Sequence, residues 1–437
     1  MKKINNSVIA LALFVGIANA NAQEKKTLTL DEAVQLGIQN SKNLKIDAAK
    51  IEEATADLLE AKNRQLPELK VSGSYMYLPL KPNINIKLPG VSGDGGPEVH
   101  QVAYGSANLS VPIYSGGRIK YGIESAKYLV EASKLSTEND KVAIAYNVAQ
   151  AYNNLFKANQ SIKVLEENLT ASQKRDETFL KMENNGIIAR NDRLKANLQT
   201  SNIELQLLEA KNNYNIANIN MDLLLGLPET TEIDVDQNYI EEGNEVKTID
   251  YYINTARENR KDLQALDKQR QAAALGTKAA KAENLPSIAF TGGYVAADIP
   301  KFLTIYNAVN VGVGISYNLS NLWKENSSLK QSKAREMQLS ATNELLNDNI
   351  KLDVNREYQN TDYSKKRIAV FEKSAEQANE NYRITKNKYD NGLATMTELL
   401  DADAAQISAN VGVINAKADA ALAYRKLLQT TGTLTTK

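Results

Sequence analysis

The chain has 437 residues, with 52 Lys and Arg balanced by 52 Asp and Glu, a single His and no Cys. That balance gives no basic stripe for a nucleic acid, and the lack of Cys excludes both a disulfide framework and a lipidated N-terminal thiol. Beyond the first residues no apolar run is long enough to cross a bilayer as a helix, so any entry into a membrane must be by strands.

Lys2 and Lys3, the apolar run Val8 to Ile17 and the small-x-small triplets Ala18-Asn19-Ala20 and Ala20-Asn21-Ala22 predict a signal peptide over 1–22. Ala20 is the alternative cleavage point. Removing two lysines leaves the mature chain slightly acidic.

A helical stretch is predicted over Asp31–Gln65, ending at Leu66-Pro67 because proline lacks a donor and disfavours the α region before it. An alternating strand follows, with Leu69, Val71, Gly73, Tyr75 and Tyr77 on one face. A loop with Pro79, Pro82, Pro89, Gly90 and Asp94-Gly95-Gly96-Pro97 leads to a second strand. After Gly116-Gly117, residues 118–184 hold no Pro and only Gly122, which predicts a helix about 100 Å long. Gly186 interrupts the helical pattern, which then runs to Leu225.

The pattern then returns. Shifted by 219, Thr29 to Tyr75 falls on Thr248 to Tyr294; shifted by 206, Ser110 to Gly226 falls on Ser316 to Gly432, both without gaps. The second copy has a helical stretch over Ile249–Asn284, Leu285-Pro286, a strand face of Ile288, Phe290, Gly292 and Tyr294, and a second strand. That strand alternates Val309, Val311, Val313, Ile315, Tyr317 and Leu319 against Asn310, Gly312, Gly314, Ser316 and Asn318. Long helical stretches follow Asn321, punctuated by Gly392. Their seams, Ile368-Phe371-Ala375-Ala378-Tyr382-Thr385-Tyr389 and Ala404-Ile407-Val411-Ile414-Ala418-Ala421, step by three and four, the period of a coiled coil. The expected organisation is a signal peptide (1–22), a first repeat (23–226), a linker (227–248), a second repeat (249–432) and a tail (433–437).

Four strands of membrane-crossing length cannot close a barrel, and lipid tolerates no open edge. Two chains would give a barrel that side chains fill, whereas three leave a lumen. The expected fold is mainly α with a membrane β-barrel: a long coiled-coil helical barrel plus four strands per chain, closed as a homotrimer.

These features resemble the TolC-type outer-membrane efflux proteins over about Leu28 to Gly432. The resemblance rests on Leu30-Asp31-Glu32-Ala33, Leu66-Pro67, Pro112-Ile113-Tyr114-Ser115-Gly116-Gly117-Arg118, and the run Tyr389-Asp390-Asn391-Gly392-Leu393-Ala394-Thr395-Met396-Thr397-Glu398-Leu399-Leu400-Asp401-Ala402. It implies an outer-membrane exit duct with its helical part in the periplasm. The implied partners are a periplasmic adaptor (membrane fusion) protein, an inner-membrane transporter and outer-membrane lipid, in efflux or type I secretion.

Glu398 and Asp401, at i and i+3, share one helix face; a solvated face is the ordinary reading, and the resemblance implies an acidic ring at the periplasmic entrance. Asp192 and Tyr389 match latch positions of the family. Its latch arginine falls on Ala394, which leaves Arg190 as a substitute, while Tyr389 also fits the coiled-coil seam. Gly186 and Gly392 read as positive-φ turns and, by resemblance, as adaptor contacts. Tyr75, Tyr77, Tyr104, Tyr114, Tyr294, Tyr306 and Tyr317 read as an interfacial belt. His100 stands alone in a loop, and no nucleophile–base set, metal site or phosphate loop is visible, so neither an enzyme nor a cofactor is expected. The competing class is a coiled-coil stalk or adaptor without a pore, which would not need four alternating strands.

Overall fold

The computed structural model describes residues 25–80, 99–240, 246–300 and 302–434. The expected signal peptide and the loop residues Pro82, Pro89, Gly90 and Asp94 to Pro97 lie outside them. The chain forms two compact units, one of residues 45–139 and 260–349, the other of residues up to 44 together with 140–259 and 350 onward.

The two repeats share one element order. The first runs α1 (Leu30–Asn40), α2 (Lys42–Asn63), β2 (Glu68–Tyr77), β3 (Gln101–Tyr114), α3 (Arg118–Asn184) and α4 (Arg190–Leu225), after a short β1 (Lys25–Leu28). The second runs α5 (Ile249–Asn259), α6 (Lys261–Ala282), β5 (Ser287–Ile299), β6 (Leu303–Ser316), α7 (Ser327–Asp390) and α8 (Met396–Thr430), after β4 (Glu232–Val235). Each leading helical stretch, read from sequence as one helix, is two. The breaks fall at repeat-equivalent residues in nearly the same extended conformation: Ser41 at φ −57°, ψ 122° and Arg260 at φ −62°, ψ 120°. Neither site holds Pro or Gly, so composition gave no warning of the break.

In the unit of residues 45–139 and 260–349, four strands form an antiparallel sheet in the order β2-β3-β5-β6. The register lines up one apolar face: Leu69 and Val71 opposite Leu109 and Ala107, then Gly292 and Tyr294, then Val311 and Val309. Its large side chains are exposed, Val71 and Val311 at 75% and Ile315 at 72%, which an aqueous surface does not favour in a contiguous patch. On the other face Ser72 and Ser106 share a hydrogen bond of 2.9 Å, and Asn108 donates to Ser106 at 3.2 Å. Tyr104 pairs in register with Ser74 and so lies on this polar face, apart from the belt to which the sequence reading assigned it. Among the described residues the outer strands β2 and β6 pair on one side only.

In the other unit, β1 pairs in parallel with β4, so the segment read as a linker contains a strand. Buried Tyr152 of α3 joins this pair. Its hydroxyl donates to the Leu28 carbonyl at 2.8 Å and accepts from the Asp236 amide at 2.7 Å, and burial pushes its pKa up to about 12. Asn218 of α4 fastens the same edge, donating to the Thr231 carbonyl and accepting from the Ile233 amide. Val148, Leu155, Phe156, Met221, Leu225 and Ile233 fill the core beneath. Along α7 the expected seam residues Phe371, Ala375, Ala378, Tyr382, Thr385 and Tyr389 are each less exposed than their neighbours, and Ile368 is part-buried beside part-buried Arg367. Along α8 the seam departs from expectation: Ala404 is exposed, while Leu399, Ala402 and Asp403 are buried.

Candidate entrance at the helical tips

The α3–α4 and α7–α8 hairpins end in the same turn. Gly186 and Gly392 have φ of +70° and +73°, and the next amides reach back to Met182 and Lys388 carbonyls at 2.8 Å. This six-to-one bond closes the last helical turn and requires a left-handed residue. A Cβ at either glycine would meet no heavy atom within 4 Å, so backbone conformation alone selects glycine. Each turn then presents an apolar side chain to solvent, Ile187 at 65% and Leu393 at 78% exposure.

Beyond the turns the copies diverge. Thr395 caps α8 through a reciprocal box: its hydroxyl accepts from the Glu398 amide, and its own amide donates to the Glu398 carboxylate at 2.7 Å. The backbone bond from Thr395 holds the Glu398 carboxyl below its ordinary pKa. Glu398 thus has a structural partner that the sequence reading did not foresee, although Thr-x-x-Glu is the signature of this box. Asp401 is exposed on the same helix.

In the first copy Ala189 occupies the cap position and makes no side-chain bond. Asp192 instead meets Lys195 at 3.3 Å. Arg190 heads α4, exposed and with no ion-pair partner among the described residues. Tyr389 is half-buried, edge-on to Phe179 with ring centres 5.9 Å apart. Burial raises its phenol pKa, and the charges of Asp192 and Asp390 add to the effect. The structure therefore brings Tyr389 into the field of Asp192 and packs it in the tip core with Phe179, Met396 and Leu399.

The more deeply buried of the two arginine ion pairs that brace the tip, beside Arg193 with Glu183, carries no signal in the sequence. Arg175 of α3 donates to both oxygens of Asp403 on α8, at 2.7 and 3.2 Å, and to the hydroxyl of Tyr382 on α7 at 3.2 Å. The paired side chains are only 15% and 7% exposed. Burial opposes the charge on Arg175, but the bond and charge of Asp403 outweigh it and raise the guanidinium pKa. Asp403 falls one residue before the Ala404 that opens the expected α8 seam, so its burial, and the need for a cation beside it, show only in the structure. Beside this bridge lies a cavity of about 350 Å³ lined by Lys174, Arg175, Phe179, Tyr382, Lys386 and Tyr389.

Among the described residues no metal-binding cluster occurs, and the side chains of the tip link helices to one another. No curated protein matches the chain by sequence. By structure it is similar to the outer membrane protein VceC from Vibrio cholerae, at 17% identity and TM-score 0.77, over 92% of this chain and 96% of that one. It is also similar to the Campylobacter jejuni CmeC outer membrane channel (19%, TM-score 0.76, 93% and 86%) and to the open state of the Neisseria gonorrhoeae MtrE outer membrane channel (18%, TM-score 0.74, 93% and 89%). These likenesses establish the fold of a helical barrel joined to a β-domain. The sequence profile described as outer membrane efflux protein matches residues 33–227 and 252–433, breaking where the two repeats meet. The chain therefore belongs to the outer membrane efflux protein family, as a channel of the outer membrane with its helices in the periplasm and not an enzyme.

Proposed function

We propose that three copies of this chain form an exit duct that takes substrates from an inner-membrane transporter and a periplasmic adaptor to the exterior. The observation that carries this reading is the sheet. It has one continuous apolar face, an opposite face on which Ser72, Ser106, Asn108, Asn310 and Ser316 lie, and, among the described residues, an outer strand at each end paired on one side only. Pairing β6 of one copy with β2 of the next satisfies both edges, and three copies supply twelve strands, enough for a water-filled lumen. Mass determination of the detergent-extracted protein tests it: a trimer is expected, and a stable monomer would overturn it.

At the tips, Asp401 with its two symmetry mates forms the acidic ring of the entrance, and Glu398, whose carboxylate also caps α8, adds to its field. Asp192, Tyr389 and Arg190 lie where neighbouring tips meet. Exposed Ile187 and Leu393, presented by Gly186 and Gly392, supply apolar contacts for the adaptor. Neutralising the ring with Glu398→Gln and Asp401→Asn, which keeps side-chain volume, should reduce cation selectivity and relieve block by multivalent cations in planar bilayers. Retention of both properties would mean that the pair is only a solvated helix face.

A further inference from the structure

The polar face of the sheet ends at a cavity where the strands meet the helices. Glu68 pairs in register with Ser110 at the foot of β2 and β3, on the same face as Ser72 and Ser106. Together with the end of α2 and the first turns of α3 they bound a cavity of about 850 Å³. In a ring of three copies, the reading proposed above on which this inference rests, that face and its cavity look into the lumen.

Two opposite charges in the cavity do not answer each other. Arg118 opens α3, where the helix dipole adds positive potential, and Glu68 opens β2. Both are exposed, and among the described residues neither side chain has an ion-pair partner. Arg64 beside them differs, because it meets Glu60 at 2.8 Å. Leu66 and Ile119 supply apolar wall.

The second repeat is built differently at the same place. By the repeat intervals of 219 and 206, Lys324 keeps the cation of Arg118, but Ser287 stands for Glu68 and Ala279 for Glu60. Asn326 there ties the start of α7 to α6, donating to the Ala280 carbonyl at 3.4 Å and to the Asn284 side chain at 3.2 Å. Its equivalent in the first repeat is Lys120, exposed and with no ion-pair partner among the described residues.

We infer that the first-repeat cavity is a transit site for small zwitterions with an apolar body. The anionic end meets Arg118, the cationic end meets Glu68, and the body lies on Leu66 and Ile119. A simple cation or anion satisfies only one of the two side chains. Because both charges face water, each contact is screened, and the site holds its ligand weakly enough to release it.

Ligand-observed NMR on the full-length protein in detergent tests this, against a blank of micelles alone. The zwitterionic probe is ε-aminocaproate, with hexylamine and hexanoate as single-charge controls. The parent should bind ε-aminocaproate more tightly than either control. Arg118→Gln and Glu68→Gln should each weaken that binding by about fivefold, the weight of one exposed charge contact. Arg118→Gln should leave hexylamine binding unchanged, and Glu68→Gln should leave hexanoate binding unchanged. Gly122 lines the cavity with open space at its Cβ position, so Gly122→Leu should fill it and abolish binding, and it serves as the second variant if a charge variant fails to assemble. Equal binding of the three probes by the parent, or variants that bind as the parent does, overturn this inference alone. A parent that is not a trimer overturns the duct reading beneath it.

Discussion

Asp192 and Glu398 occupy equivalent positions in the two repeats, yet only Glu398 closes a capping box, because Thr395 precedes it where the first copy has Ala189. One residue three positions upstream thus decides whether a carboxylate at the tip serves its own helix or remains available to others. Ala189→Thr should give α4 the same start, adding about 1 kcal/mol to tip stability. Amide hydrogen exchange across residues 189–195 would register it as slower exchange; no change would mean that the α4 start is fixed by tertiary packing.

The buried bridge makes an asymmetric prediction. Arg175→Ala leaves Asp403 charged and buried, and a loss of about 3–5 kcal/mol is expected. Replacing both partners with apolar residues, Arg175→Met with Asp403→Leu, should cost far less, because no charge is left behind. Denaturant midpoints of the single and double variants decide between these outcomes.

Asp222 predicts a pH dependence. It is fully buried near the end of α4, and burial, aided by the charge of Glu229, raises its pKa from 3.8 to about 6. The folded state therefore binds the proton more tightly than the unfolded chain. Asp222 lowers stability progressively as pH rises from about 4 to 6, and the full cost stands above that range. Asp222→Asn should stabilise the protein at pH 7, by up to about 3 kcal/mol, and give nothing at pH 4. Equal thermal shifts at both values would show that ionisation plays no part.

The sheet faces can be separated by charge. Val311→Arg on the apolar face, midway along β6, should cost about 2–4 kcal/mol near the membrane midplane, and Asn310→Arg on the opposite face at the same depth much less. Heat stability of the extracted assembly on gels reads the difference; equal tolerance on both faces would contradict the lipid-facing assignment.

The turn glycines should tolerate substitution poorly despite the open space around them. Gly392→Ala places a Cβ at φ +73° and should cost about 1 kcal/mol, with Gly186→Ala the same. The expected signature is local: faster exchange at the tip with an unchanged global midpoint.

Periodicity made most of the fold legible. The repeat registers, the Leu-Pro stops, the alternating strands and the α7 seam are one-dimensional patterns, and the structure follows them closely. What stayed hidden depends on partners distant in sequence. The α1–α2 break at Ser41 carries no Pro or Gly signal. Strand β4 is only four residues long and exists because Lys25–Leu28 lies beside it. Asp403 carries no local signal because its partner Arg175 is 228 residues away. At the candidate entrance, the glycines and the acidic face were read from local spacing. The bridge that holds the helices together required coordinates.

The free edges of β2 and β6 have a kinetic consequence. Among the described residues a lone chain leaves one side of β2 and one side of β6 unpaired beside an exposed apolar face, and another copy can complete that sheet only by collision. The yield of folded protein should therefore depend on the concentration of newly exported chains. At low supply a chain waits, and at high supply strand addition without closure competes with the ring as a route to aggregates. Slow, dilute refolding into detergent micelles should favour the closed form, and rapid concentration should favour open-ended polymers.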